Sequence, residues 1–410
     1  MRFTHSDLLL KIAQLGLKLF LLLLPWQTVY IVQASVLPME SVVIHGTALL
    51  LFCVLILALL QYKPKINYWI LASAVFVIFL QMWNAENSLL ALQQVIWLLC
   101  GLGFLWLLST NLLKKSEQII YLTIGAIIPA CLGLYQFFAQ TSFISKWLGL
   151  SFIPSSLSGS PIIVSESGRW LRAFGTFPHP NIFGGYLVGI LGLLFARANE
   201  YSISHKINWI WRLVVVLFTT VLILTFSRSA LAVWVLFMIF FHYKIFKFAR
   251  GSELAIQAFI SMLTAALVIT ATWSIWSVRL GQGIISQNEI VSINERVNGN
   301  QAAKKIIKNN WVTGVGPGNY TEALYRAAPD LKSWEMVPVH NVPLLVLAEW
   351  GVFGIGLMGF LAYYLRTKTL FLLPILLLDH YVYSLWPGII VGIILILSTV
   401  YAHRGLTQPK

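Results

Sequence analysis

Long uninterrupted apolar runs constrain this chain more than any other feature. About twelve of them recur along the sequence, each roughly the 17–25 residues that a helix needs to cross a bilayer. They fall at residues 15–32, 42–60, 68–82, 89–108, 119–138, 182–196, 209–226, 230–246, 254–276, 342–365, 370–385 and 389–401. The runs are continuously apolar, not alternating in the ~10-residue units of an outer-membrane barrel, so the expected spans are helices. Composition agrees, since hydrophobic residues make up 58% of the chain and charged residues 10%, with a mean hydropathy of +0.80. A soluble domain needs far more charge to cover its surface. The expectation is an all-α polytopic membrane protein forming one integral membrane domain over residues 1–410. The first run is long enough to remain as a span, and no cleavable signal peptide is evident.

The net charge of +14 is distributed in a way that orients the chain and argues against nucleic acid. With the N-terminus inside, the cytoplasmic connections hold Lys63, Lys65, Lys114, Lys115, Arg197, Lys206, Lys244, Lys247, Arg250, Arg366, Lys368, Arg404 and Lys410. The short outward loops 34–41, 84–88 and 386–388 hold neither Lys nor Arg. This asymmetry places both termini in the cytoplasm. Two outward segments are long and basic, at residues 140–181 and 277–341. Long loops weigh little on orientation, so their cations need another explanation. Within the second, residues 293–310 carry the apolar spacing of an amphipathic helix lying near the membrane, and residues 323–328 suit a second short helix. Cys53, Cys100 and Cys131 all lie inside apolar runs without a Cys-x-x-Cys spacing, and read as small hydrophobes.

Four polar clusters fall on the outward side: residues 169–181, 225–229, Glu295-Arg296, and 338–341. Groups distant in the chain that meet at one face of a bundle are what a single site requires. Arg172 precedes a turn rich in Gly175, Pro178 and Pro180, with a helix beginning near Asn181. Two readings fit it equally: an anion site at a helix N-terminus, or an interfacial turn with snorkelling arginines. Arg228 lies between two apolar runs, where a guanidinium is costly unless it snorkels or pairs with an anion. The run Gly314-Val-Gly-Pro-Gly-Asn-Tyr320 is glycine-rich but lacks the Lys-Ser/Thr of a phosphate-binding loop, and reads better as a tight turn. His340 stands at the water boundary before the tenth run. A neutral imidazole there suits removal of a hydroxyl proton, while the plainer alternative is a helix-capping histidine. His179 and the pair Asp379-His380 are weaker candidates, the latter as a buried polar pair supporting the bundle or touching substrate. No His/Glu metal motif and no Asp-x-Asp pattern is present, so neither metal dependence nor a cofactor is expected.

Together these motifs resemble the O-antigen ligase and O-antigen polymerase superfamily of bacterial membrane glycosyltransferases. The resemblance rests on Arg172-Ala-Phe-Gly-Thr-Phe-Pro-His-Pro-Asn181, on Ser227-Arg228-Ser229-Ala230, on Glu295-Arg296 with the Gly314–Tyr320 run, and on His340-Asn341 with Glu349-Trp-Gly351. It extends over roughly residues 169–388. The chain departs from relatives in having Asn300 where an aromatic often stands and Trp311-Val-Thr where a proline often precedes the Gly-x-Gly. The resemblance implies a metal-independent enzyme of polysaccharide or lipopolysaccharide biosynthesis in the cytoplasmic membrane, with its site outside. The implied partners are an undecaprenyl-diphosphate-linked glycan as donor and a glycan or lipid acceptor. Carried over residue by residue, it implies His340 as general base and Arg172, Arg228 and Arg296 as diphosphate-binding, with Arg169, His179, Asn181, Asn341, Asp379 and His380 in support. Two other classes stay open: a transporter of a lipid-linked or small anionic solute, and a non-catalytic partner in an envelope complex.

Overall fold

The computed structural model describes residues 5–35, 41–62, 64, 68–198, 205–248, 252–282, 287–332, 335–365 and 370–404. Of the cations on which the orientation rests, Lys63, Lys65, Arg250, Arg366, Lys368 and Lys410 lie outside these residues. The chain runs through helices α1 (His5–Leu23), α2 (Gly46–Gln61), α3 (Tyr68–Asn84), α4 (Ser88–Ser109) and α5 (Lys115–Ala139). Then come α6 (Pro180–Arg197), α7 (His205–Leu224), α8 (Arg228–Phe248), α9 (Glu253–Ala271), α10 (Trp273–Arg279), α11 (Gln287–Asn310) and α12 (Tyr320–Ala327). The last are α13 (Val342–Trp350), α14 (Val352–Leu365), α15 (Leu373–Leu378), α16 (Tyr381–Ser384) and α17 (Trp386–Arg404). Two small antiparallel hairpins pair β1 (Val29–Gln33) with β2 (Val42–His45), and β3 (Ile162–Ser165) with β4 (Gly168–Leu171).

Five helices, α4, α5, α6, α8 and α9, are long and apolar enough to cross a membrane by length and composition, and α2, α3, α7 and α17 include shorter apolar helices. Leu59, Phe76, Phe79 and Leu263 are among many exposed apolar side chains on these helices, the surface that acyl chains cover. The structure is that of an all-α membrane protein, but several hydropathy runs are not single helices. The run at 15–32 ends as helix at Leu23, just before Pro25, whose ring and missing N–H oppose a helix interior. The β-branched and aromatic residues Val29, Tyr30, Ile31 and Val32 then form a strand. The run at 42–60 likewise opens as β2 and becomes helix only at Gly46. The run at 342–365 breaks at Gly351 (φ 57°, ψ −141°), a backbone state that only glycine adopts without strain. The run at 370–385 breaks at Asp379-His380 between α15 and α16, and α10 is a separate helix after α9. The amphipathic helix begins earlier than its apolar spacing indicated, at Gln287. The second short helix likewise begins earlier, at Tyr320.

Helix α6 is the axis of the bundle. Every residue from Pro180 to Phe195 is buried, as expected of a helix that is apolar on all sides. Its glycines admit close neighbours, as small residues do at helix contacts in membranes. A Cβ on Gly189 would sit 2.9 Å from Ile394 of α17, and one on Gly192 would sit 2.6 Å from Phe237 of α8. Nearer the N-terminus, beside His179 and Asn181, a Cβ on Gly184 would sit 3.0 Å from Ala230 of α8 and one on Gly185 3.1 Å from Val391 of α17, so this end is fixed against both helices.

Candidate active site

The site is assembled from four chain segments around the start of α6. The turn leading to it is clamped from α5 by Gln136, which is 1% exposed. Gln136 Oε1 accepts from the N–H groups of Phe174 (3.0 Å) and Gly175 (2.8 Å), and its Nε2 donates to the Gly175 carbonyl (2.7 Å). Gly175 has φ 59°, so this turn needs glycine. His179 caps α6, its Nδ1 accepting from the Asn181 N–H at 3.1 Å, and Pro180 occupies the first turn, where a missing N–H costs nothing.

The second segment is the tight connection between α7 and α8. Phe226 there has φ 50°, a left-handed conformation that a bulky residue rarely adopts outside constrained sites. Two guanidinium groups bind this turn, one from before it in the sequence and one from after it. Arg172 Nε donates to the Thr225 carbonyl at 2.8 Å. Arg279, at the end of α10, donates to the Phe226 carbonyl through Nε (3.3 Å) and Nη2 (3.2 Å). Arg228 follows two residues later as the first residue of α8. Three arginines thus meet at one turn.

The third segment is the α15–α16 break, where Asp379, 3% exposed, supplies a carboxylate. Arg172 Nη2 donates to Asn181 Oδ1 (2.6 Å), Asn181 Nδ2 donates to Asp379 Oδ1 (2.7 Å), and Ser229 Oγ donates to Asp379 Oδ2. Arginine, amide and carboxylate form one chain from the β4–α6 turn through the start of α6 to the α15–α16 break, with α8 tied on through Ser229. Each link has its donor matched to an acceptor, which is what makes a buried polar network rigid.

The fourth segment brings His340. Its ring meets that of His380 edge-on, with centroids 5.0 Å apart and planes at 64°, and His380 Nδ1 bonds Ser384 Oγ at 2.6 Å. His340 Nδ1 is buried without a hydrogen-bond partner. Burial pushes the His340 pKa below its ordinary value; the Asp379 carboxylate opposes that shift and Arg296 adds to it. His179 is held well below its ordinary value by burial first, then by the charges of Arg172, His340, His380 and Arg279. A neutral imidazole at His340 is thereby favoured at neutral pH. Among the described residues, no group of three or more His, Cys, Asp or Glu stands close enough to hold a metal ion.

Arg172, His179, Asn181, Asp379, His340 and His380 meet here. Arg228 heads α8 at the turn, Arg296 acts on His340 through its charge, and Arg169 and Asn341 have other tasks. Arg169 lies on β4, where its guanidinium binds the carbonyls of Ser155 (2.9 Å) and Leu157 (3.4 Å) and locks the preceding loop. Asn341 caps α13 by accepting from the Leu344 N–H at 3.1 Å. The glycine run is a docking turn, because the Glu349 carboxylate of α13 already accepts from the Gly318 N–H at 2.8 Å and from Tyr383 Oη. A Cβ on Gly314 would stand 2.2 Å from the Glu349 carbonyl oxygen. In the sequence Arg279 is only one of the cations of the outward segment 277–341, with no motif to single it out, and Gln136 looks like one polar residue within an apolar run.

The fold and this cluster define a class: a helical membrane protein with arginines, an acid and a histidine gathered at the end of its central helix. Residues 213–359 match the family model described as O-antigen ligase, which supports placing the chain in the O-antigen ligase/polymerase superfamily. The matched stretch contains Arg228, Arg279, Arg296 and His340, while Arg172, Asn181, Asp379 and His380 lie outside it. No match was found among the curated proteins or the solved structures.

Proposed function

We propose that this protein transfers a glycan from an undecaprenyl-diphosphate-linked donor to an acceptor hydroxyl at the outer face of the bacterial cytoplasmic membrane, by ligation or by polymerisation. The family supports glycan transfer in general. The observation that carries the finer reading is the meeting of Arg172, Arg279 and Arg228 at the 225–228 turn, beside the Asp379–His380 break that His340 contacts. His340 takes the proton of the acceptor hydroxyl, the oxygen attacks the anomeric carbon, and the carbon–oxygen bond to the diphosphate breaks with its electron pair on the leaving group. Arg172, Arg228 and Arg296 bind that leaving group, and Arg279 joins them. A guanidinium suits the task because its fork matches phosphate oxygens and it stays charged.

The test is transfer by purified protein given lipid-diphosphate glycan and acceptor. His340→Ala is expected to lower the rate by about 100-fold or more, the scale of a lost general base. Full transfer by this variant rules out His340 as the base. One observation favours a transporter instead: helices break at Gly351 and at Asp379-His380, as at transporter binding sites. Uptake of anionic solute into vesicles without glycan transfer decides for that reading.

A further inference from the structure

A cavity of about 200 Å³, with walls more apolar than polar, reaches the end of α16 at Ser384 and differs in chemistry from the arginine cluster. Its walls come from β2, α4, the start of α12, α13 and α16, and include His45, Gln94, Trp97, Thr321, Glu349 and Tyr383. No lysine or arginine lines it, so it is unsuited to a diphosphate. It offers a carboxylate, an amide, an imidazole and hydroxyls around an indole. Glu349 is 3% exposed and Gln94 4%. Gln94 Nε2 is fixed by the Tyr383 carbonyl at 2.6 Å, which leaves its Oε1 as an acceptor. Glu349 Oε2 is fixed by the Gly318 N–H and Tyr383 Oη, and its Oε1 accepts one bond, from the Tyr320 N–H at 3.4 Å. The acceptor groups of this wall are held in place before any ligand arrives. His45, 9% exposed, lies edge-on to Trp97 with centroids 5.6 Å apart, and its Nδ1 has no hydrogen-bond partner.

We infer that this cavity binds one sugar ring of the acceptor glycan, as an uncharged, hydroxyl-bearing ligand. The inference rests on the proposed transfer reaction. A hexose has hydroxyl donors around its rim and an apolar C–H face, which match fixed acceptors and an aromatic wall. The volume is below the about 300–1,000 Å³ of drug-sized sites, which fits one ring and not a chain. Position links the cavity to the chemistry. Ser384, on its wall, bonds His380 Nδ1 at 2.6 Å, and the His380 ring touches His340. Pro338, two residues before His340, forms another part of the wall. A ring seated here lies against Ser384 and Pro338, the wall residues that lead to the base.

The experiment is saturation-transfer NMR on the full-length protein in detergent, with methyl α-glucoside, methyl β-galactoside and methyl β-N-acetylglucosaminide as probes. At least one probe is expected to receive saturation from the wild type and from His340→Ala. Two variants should reduce that signal by about fivefold or more, a loss of roughly 1 kcal/mol: His45→Phe, which removes both ring nitrogens, and Ser41→Trp, which plugs the half-buried rim. Inorganic pyrophosphate should leave the signal unchanged. No signal from any probe, equal signals in both variants, or displacement by pyrophosphate overturns the inference. Failure of the wild type to transfer glycan, with probe signals intact, overturns the proposed reaction. Transfer intact without probe signals overturns the sugar site alone.

Discussion

Replacing Asp379 by Asn tests how the buried network serves the histidine. The two side chains have the same shape, so the change removes charge and little else. An asparagine at 379 can keep its oxygen toward Asn181 Nδ2 and turn its amide toward Ser229, whose hydroxyl reverses to accept. Both bonds survive without charge assistance, which roughly halves their strength, a loss of about 1–2 kcal/mol in total. Arg172 meanwhile loses the carboxylate that Asn181 connects it to. If that loss falls on the transition state, kcat/KM drops about 5- to 30-fold. The pH profile provides a sharper readout. His340 must be neutral to act as base, so activity rises as pH passes upward through its pKa. Asp379 raises that pKa against the lowering by burial and Arg296. Removing the carboxylate therefore lowers it further, and the acidic limb of kcat/KM moves to lower pH even as the maximum falls. The assay is initial transfer rate against pH, with kcat/KM reporting the free enzyme. An acidic limb that stays in place, or moves upward, refutes the electrostatic link between Asp379 and His340.

Arg172→Lys should lower transfer about 10- to 100-fold and destabilise the protein by about 1–3 kcal/mol, because one ammonium does not span both the Thr225 carbonyl and Asn181 as the guanidinium does; transfer rates and thermal unfolding in detergent measure both. Gly351→Ala should abolish folded protein, judged by size-exclusion yield, since a Cβ there would meet the Val312 carbonyl at 2.3 Å with φ at 57°. Gly356→Ala on α14, with nothing within 4 Å of its Cβ position, should express as wild type does.

The helical character of the chain was legible because hydropathy runs report burial in lipid or protein directly. They do not report where a run changes geometry. Pro25 and the β-branched residues after it were the available signals for the β1 strand, and apolar length outweighed them. Gly351 and Asp379 sat in plain view within runs read as continuous. For the site, Arg172, Arg228, Arg296 and His340 stood out through motif and charge. What remained hidden was mutual placement: Asn181 and Asp379 are 198 residues apart and share a hydrogen bond, which no local pattern encodes. Arg279 had no motif around it, and its role emerges only because the Phe226 carbonyl faces it. The glycine run was correctly read as a turn, but its cause, a carboxylate of α13 occupying the Gly318 N–H, lies outside the run.

The charge balance at the 225–228 turn has a consequence for turnover. Arg172, Arg228 and Arg279 gather there with Asp379 as the carboxylate bound into their network, an imbalance that favours anions. In the proposed reaction the departing lipid diphosphate is at least as anionic as the donor that brought it. The cluster that accelerates bond breaking therefore also retains the spent carrier, and escape of that carrier into the bilayer becomes the slow event of the cycle. Such an enzyme would be paced by whatever clears its by-product from the membrane.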